Sequence, residues 1–512
     1  MFMSARRLSG SPAPARRSRL RGPLLAACAV ALVAAVASPT GARPLISGNA
    51  GPAVSTPPNI VLILTDDERW DEMANMPTVQ SDLVAHGIDF TNAFVTNPSC
   101  CPSRTTILTG KYSHGTDVYT NKPPHGGFPT FEPEEGSTLA TWLHGGGYHT
   151  GLFGKYLNEY TVSDVPHVPP GWDSWAALTF GADETGPEGY YNYTLSVGNS
   201  TDGGTPEFHG TGFKQYSTDV LGQKATDFIT NAPSGQPLFL YFAPYAPHSP
   251  TKVPKRYKNA CASLSWTNPP SFNESSATLD SKPKYARRRA LLSQTDINKI
   301  DDHRFKDCKS LLAVDDWVGS ITDALQSTGR LDNSLIVFMS DNGYLFGEHR
   351  RTGKIVPYDE SIRVPMVVRY DPMTAPLAGT TNPDMVLNLD IAPTFADAAG
   401  VSAPGAVGQS MLPLLTDPSA PWRDHFLVEH WGEGGVPAYC AIRTADWKYV
   451  LYATGEEELY YLSGSLKNGD GPYELQNQAS NPTDPYHSAL LALRSVEQDM
   501  CVPQPPGGLP TP

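Results

Sequence analysis

Asn97 to Asn121 reads NPSCCPSRTTILTGKYSHGTDVYTN. Pro98 precedes two adjacent cysteines, and Pro102-Ser103-Arg104 leads into a short run that closes at Gly110. A proline before the cysteines ends a strand or loop. Ser103 is a helix-capping residue type, so the pattern predicts a helix over Thr105 to Gly110 with Gly110 as its stop. Disulfide geometry disfavours a bridge between sequence neighbours, so Cys100 and Cys101 are not expected to pair with each other. A side chain just ahead of a helix N-terminus faces unpaired N–H groups that favour an anion. Arg104 adds a fixed cation whose donors fit sulfate or phosphate oxygens. The same residues also fit a buried structural cysteine pair on a loop.

Working outward, several apolar runs flank this stretch. Asn59–Thr65 (NIVLILT) ends in Asp66-Asp67, Pro237–Ala243 (PLFLYFA) leads to Pro244-Tyr245-Ala246-Pro247-His248, and Ser334–Ser340 (SLIVFMS) ends in Asp341-Asn342-Gly343. Continuous apolar runs of this length read as strands buried on both faces of a parallel sheet. Open α/β sheets hold ligands at the carboxyl ends of such strands, and the hard oxygens of Asp66, Asp67, Asp341 and Asn342 suit Ca2+ or Mg2+. Any one acidic pair would equally make a solvated turn. His149–Phe153 reads as a further strand, delivering Gly154-Lys155-Tyr156-Leu157-Asn158. Val79–Gly87, Tyr216–Thr230 and most of Tyr285–Ser327 read as helices, with Asp315-Asp316 on a solvated helix face. Residues 161–215 read as long loops with a short hairpin. Beyond about Gly400, Phe426–Glu429, Tyr439–Arg443, Trp447–Tyr452 and Glu458–Leu462 read as short antiparallel strands.

The chain has 512 residues, 40% hydrophobic, with a formal net charge of −14. That balance argues against a nucleic-acid or anionic-membrane surface but leaves a local basic pocket open. Arginines precede an apolar run, Pro23 to Ala37, and small residues follow it. Residues 1–42 therefore read as a signal peptide and 43–57 as a flexible lead-in. Secretion to the extracellular side is expected. The Arg6-Arg7 and Arg16-Arg17 pairs leave a twin-arginine route open, and Leu25-Ala26-Ala27-Cys28 leaves a lipoprotein anchor as the alternative. No later segment qualifies as a membrane span. An oxidising compartment permits disulfides, and proximity suggests Cys261–Cys308 and Cys440–Cys501, although sequence does not determine connectivity.

Taken together, Cys100-Cys101-Pro102-Ser103-Arg104, Thr109-Gly110-Lys111-Tyr112 and Gly154-Lys155-Tyr156-Leu157-Asn158 resemble the signatures of the type I, formylglycine-dependent sulfatases. The likeness is greatest to the N-acetylglucosamine-6-sulfatase and heparan-type branch. The resemblance implies an α/β alkaline-phosphatase-like sandwich around a large mixed, mostly parallel sheet, over residues 58–400. A smaller C-terminal α+β domain with an antiparallel sheet and tail would follow over 401–512. It implies oxidation of Cys100 to formylglycine by a formylglycine-generating enzyme. A Ca2+ ion (Mg2+ being the alternative) would be held by Asp66, Asp67, Asp341, Asn342 and residue 100. One hydroxyl of the hydrated aldehyde would attack sulfur, and the other would then release sulfate. Arg104, Lys155 and Lys354 are implied around the anion, with His248 as acid or sulfate binder. His349 and Asn158 are implied as further substrate contacts; Lys111 and His114, which follow the cysteine motif, fit a substrate-facing position and an exposed basic loop equally. Leu157 departs from the pattern, standing where many members carry histidine, with Asn158 as a possible substitute. The implied substrate is a sulfate ester of a sugar such as glucosamine-6-sulfate. The alternatives are a phosphonate monoesterase or phosphodiesterase of the same superfamily, a catalytically silent sulfated-glycan binding protein, and a structural metal-binding protein.

Overall fold

The computed structural model describes residues 56–180, 189–464 and 471–510. The expected signal peptide, Cys28 and the lead-in up to residue 55 lie outside the described residues. The central sheet is built from β1 (Asn59–Thr65), β2 (Ile88–Phe90), β3 (His149–Lys155), β4 (Ser174–Leu178), β5 (Tyr193–Asn199), β6 (Gly203–His209), β7 (Leu238–Ala243), β8 (Ser334–Ser340), β9 (Met366–Arg369) and β10 (Thr380–Asn382). Their order is β10-β2-β9-β8-β1-β7-β3-β4-β5-β6. The middle of the sheet is parallel, from β8 through β1, β7 and β3 to β4. β9 and β2 on one side, and β5 and β6 on the other, pair antiparallel with their inner neighbours. This is the mixed, mostly parallel sheet expected from the apolar runs.

Helices sandwich the sheet: α1 (Cys100–Thr109), α2 (Leu139–Gly145), α3 (Ser217–Asn231), α4 (Gln294–Ser327) and α5 (Ile391–Ala399). Side chains of a strand alternate between faces. Ile60, Leu62 and Leu64 of β1 pack on the side of α1, α2 and α5, while Val61 and Ile63 pack on the side of α3 and α4. All five are fully buried, each contributing about 1.5–3 kcal/mol of transfer free energy. In α4, Leu311, Val314, Val318, Ile321 and Leu325 recur at helical spacing and line that second face.

Beyond the central sheet, β11 (His425–His430), β12 (Tyr439–Thr444), β13 (Trp447–Tyr452) and β14 (Glu457–Tyr461) form a four-stranded antiparallel sheet. One of its faces joins the core of the main sheet through Phe426, Val428, Tyr439 and Val450. The other packs on α6 (Tyr486–Met500) through Leu427, Ile442 and Leu451. Buried Glu458 accepts hydrogen bonds from the hydroxyls of Tyr358, Tyr452 and Tyr460 (2.9, 2.6 and 2.6 Å). The disulfides are Cys261–Cys308 and Cys440–Cys501, as proximity suggested, leaving Cys100 and Cys101 free and buried. Among the described residues no helix is long and apolar enough to cross a membrane.

Several local expectations change. α1 begins at Cys100, not Thr105, because Asn121 Oδ1 accepts from the Cys101 N–H (2.8 Å) and satisfies a first-turn donor from outside the helix. Ser103 is therefore inside the helix rather than its cap. Gly110, with φ 65°, is the stop, as expected. Residues 161–215 supply β4, β5 and β6 to the main sheet rather than one short hairpin. Val79–Gly87 is a π-helical turn followed by a 3-10 turn. Asp315 is not on a solvated face: it is buried and accepts from the N–H groups of Thr78 and Val79 (2.9 and 2.8 Å).

Candidate active site

The register of the parallel strands aligns their carboxyl ends. Thr65 pairs with Ser340, Ile63 with Phe242, and Gly154 with Ala243. Asp66-Asp67, Asp341-Asn342, Lys155 and the Pro244–His248 turn consequently emerge along one edge. Gly154 is required for this: a Cβ there would lie 1.9 Å from the Ala243 carbonyl oxygen, and its φ is 134°. The two backbones can therefore close together and set Lys155 beside Asp66. Asp67 itself has φ 73°, a conformation non-glycine residues take rarely and mostly at functional sites. Its N–H donates to Asp341 Oδ1 (3.2 Å), which holds it there.

α1 meets this edge with Cys100 in its first turn. The Cys100 Sγ lies 3.4 Å from Asp66 Oδ1 and 2.7 Å from Lys354 Nζ. Lys354 also donates to Asp67 Oδ1 and to Asn342 Oδ1 (3.2 Å). The loop carrying Lys354 is tied to the cysteine loop by the Ile355 N–H donating to the Pro98 carbonyl (3.1 Å). Lys155 Nζ donates to Asp66 Oδ2 (2.5 Å), with the rings of Tyr245 and Phe180 at 5.7 and 5.9 Å. Arg104 is fully buried: its Nε donates to Asp341 Oδ2 (2.8 Å), Nη1 to the Lys155 carbonyl (2.7 Å), and Nη2 lies 3.4 Å from Asp66. His248 Nε2 is 3.7 Å from Asp67 Oδ2, and its buried Nδ1 has no hydrogen-bond partner.

The electrostatics follow from burial and charge together. Burial works to raise Asp66, but the neighbouring cations, Lys155 foremost, outweigh it and hold the carboxyl well below its usual range. Asp67 is lowered likewise, against burial, chiefly by Lys354. Asp341 is raised, by burial and then by the charge of Asp66. Burial and Asp66 push the Cys100 thiol up to about 12, so at neutral pH it carries its proton. A thiol in that state is a poor nucleophile, since the thiolate is the reactive species. Burial lowers His248, leaving its imidazole neutral near pH 7.

The donor set fits a divalent cation. Asp66, Asp67, Asp341 and Asn342 are buried and oxygen-bearing at neighbouring strand ends, and oxygen donors suit Ca2+ or Mg2+. Lys354 already presents a positive charge to Asp67, Asn342 and Cys100 together. Asp66, Asp67, Cys100 and His248 have ligand atoms within 4.8 Å of one another.

The remaining expected contacts are not drawn into this cluster. Lys111 Nζ pairs with Glu134 (3.4 Å). His114 Nδ1 meets Glu429 (3.1 Å) and its ring stacks on Tyr112. Asn158 lies beside Cys101, its carbonyl accepting from the Phe128 N–H (2.8 Å) and its Oδ1 buried without a partner. His349, expected at the substrate, is fully buried instead, its Nδ1 2.9 Å from Glu274 and its ring 4.0 Å from that of Tyr358. Sequence reasoning missed Asn121, and also Asn388, whose Nδ2 donates to Ser103 Oγ (2.9 Å) and whose Oδ1 accepts from the Thr96 N–H (3.2 Å). Asn388 fixes α1 from a segment distant in sequence, and Asn121 from the far end of the same stretch, 20 positions on from Cys101; no pattern marks either.

A family model described as Sulfatase matches residues 58–401, and one described as N-sulphoglucosamine sulphohydrolase, C-terminal, matches residues 347–492. The chain is 34% identical to N-acetylglucosamine-6-sulfatase of Homo sapiens over 74% of its own length and 68% of that protein's. It is 32% identical to an arylsulfatase of Volvox carteri, over 86% of this chain and 74% of that one. It shares a fold, at a TM-score of 0.71 and 23% identity, with a solved structure of a protein in complex with its substrate D-glucosamine-2-N,6-O-disulfate. That superposition covers 87% of this chain and 98% of the other.

Proposed function

This chain belongs to the sulfatase family of sulfuric ester hydrolases, and from that premise we propose that it is a secreted enzyme removing sulfate from sulfated sugars of the glucosamine-6-sulfate class. The observation that carries the mechanism is the position of Cys100, in the first turn of α1 against Lys354 and Asp66. Its sulfur is held as a thiol in that setting, which supports conversion of the residue to formylglycine rather than use of the cysteine itself. The glucosamine class is supported by the human relative and by the substrate bound in the structural neighbour.

In this reading Asp66, Asp67, Asp341 and Asn342 would hold a calcium-class ion together with residue 100, and the ion would supply positive charge at the attacking oxygen and at the sulfuryl oxygens. The chain's own residues do the rest. Lys354 places an ammonium beside the reacting atom of residue 100, where it meets charge that grows on the sulfuryl group. Lys155 adds a second buried cation and, with Arg104, keeps Asp66 ionised. Arg104 also fixes Asp341 through a charge-assisted hydrogen bond. His248 has a ring nitrogen without a partner and burial disfavours its charged form; once it has taken up the proton lost by the attacking hydroxyl, its imidazolium would hand one on to the departing sugar oxygen.

Initial rates on a panel of esters test the substrate class. The account expects kcat/KM for glucosamine-6-sulfate to exceed that for a phosphonate monoester by at least about 100-fold, a difference that pocket contacts to one substrate can supply. Faster turnover of the phosphonate monoester would assign the chain to the other chemistry of this fold.

A further inference from the structure

His349 lies in a second buried polar cluster, with Glu274, Glu360 and Glu474, and the chemistry there is unbalanced. His349 Nδ1 is 2.9 Å from Glu274 Oε1, so the ring donates that proton to the carboxylate and leaves Nε2 as a bare acceptor. Facing it at 3.9 Å is Glu360 Oε2. Neither atom has a hydrogen-bond partner, and their residues are 0% and 5% exposed. Glu474, 1% exposed, completes a set whose ligand atoms all lie within 4.8 Å of one another. Acceptors facing acceptors in a dry interior repel unless a cation lies between them.

The neighbouring cations are committed elsewhere. Lys448 is shared by Asp359 (2.5 Å) and Glu474 (2.7 Å), and Arg443 also pairs with Asp359 (3.1 Å). Lys282 donates to the Glu474 carbonyl and to the Tyr460 hydroxyl. The Glu360 carboxyl takes a long side-chain contact from Ser271 Oγ, at 3.4 Å. It is therefore the carboxylate of this centre without a cation of its own.

We propose that His349, Glu360 and Glu474 form a second metal site, separate from the Asp66 centre, that takes a divalent transition-metal ion of the zinc class. One imidazole and two carboxylates are a donor set for such an ion, with bond lengths of about 2.0–2.2 Å. The 3.9 Å between His349 Nε2 and Glu360 Oε2 is too long for a hydrogen bond but within the reach of two ligands of one ion. Glu274 stands where metal-binding histidines keep an orienting carboxylate, on the other ring nitrogen. Burial, with Lys282, holds His349 down to about 4, so its ring is neutral and its lone pair is available at neutral pH. His349 and Glu474 both sit at positive φ, 51° and 49°, a backbone cost kept only where surrounding contacts fix the residue. The ion would pin the His349 loop and the turn at Glu360 to the segment that follows the C-terminal sheet.

The rival occupant is a proton on Glu360. The test uses the full chain, stripped with a chelator, resaturated with calcium and then titrated with zinc chloride. Zinc per chain is counted, and soaked crystals are measured at the zinc absorption edge. The account expects about one zinc per chain and an anomalous peak between His349 Nε2, Glu360 and Glu474. Glu360→Gln keeps the side chain's size and offers an amide donor to the cluster, so it should fold and turn over sulfate esters as wild type does. It should lose zinc affinity by at least about 100-fold. No zinc peak at His349, zinc found only at the Asp66 centre, or undiminished zinc binding by Glu360→Gln would each overturn the site and leave the proton as its occupant.

Discussion

Cys100→Ala lowers kcat for a sulfate ester by at least about 10,000-fold, the scale on which loss of a nucleophile is felt. In the proposed mechanism residue 100 carries the nucleophile, and its sulfur lies 3.4 Å from Asp66 Oδ1 and 2.7 Å from Lys354 Nζ. Cys101, on the next α1 position, is a buried thiol pushed up to about 12. The fold survives the change. A single sulfur atom is removed, costing about 1 kcal/mol, and Lys354 keeps Asp67 and Asn342 as partners. Single-turnover kinetics beside a thermal melt read both halves of the prediction. Turnover near the wild-type rate would remove residue 100 from the chemistry, and a collapsed melt would make its role structural.

Arg104→Ala destabilises the protein by about 3–5 kcal/mol when the metal is chelated, because it strips one partner from a buried ionic network. The guanidinium is the anchor of two carboxylates and a carbonyl: Asp341 at 2.8 Å, Asp66 at 3.4 Å and the Lys155 carbonyl at 2.7 Å. Without it, Asp341 is left in a site where burial and Asp66 already raise its pKa. Asp66 retains Lys155, so the loss falls on Asp341 and on the placement of the Lys155 backbone. Chemical denaturation with and without chelator measures it. A loss below about 1 kcal/mol, the range of an exposed ion pair, would show that the network does not depend on Arg104.

The strands and their ends were legible from the sequence because the physics that forms them is local. Ile60–Leu64 and Leu335–Met339 are unbroken apolar runs, and such runs are stable only when both faces are covered. The polar residues that interrupt them, Asp66-Asp67 and Asp341-Asn342, therefore had to lie at the ends. What was not legible depends on partners far along the chain. The first turn of α1 is held by Asn388, 285 positions on from Ser103, and by Asn121 at the far end of the opening stretch, and no pattern around Cys100 announces either. Asp315 looks like a solvated residue of α4 until the turn at Thr78–Val79 is folded onto it. His349, within GEHRR, stands near Lys354 in the sequence and so reads as a substrate contact. Glu274, Glu360 and Tyr358 bury it instead, and that burial is a tertiary event. The strands within residues 161–215 were hidden by glycine, proline and aromatic residues that suit loops as well as outer strands.

The central claim is that residue 100 acts as a formylglycine, and the mass of the peptide spanning it tests that most directly. The measurement is made on the full chain after secretion from a host that contains the modifying enzyme, with sulfate-ester turnover recorded on the same sample. The account predicts an active sample whose peptide has lost the mass that separates a thiol from an aldehyde. An active sample in which Cys100 is wholly unmodified would contradict it, because turnover would then proceed through the cysteine or through another group.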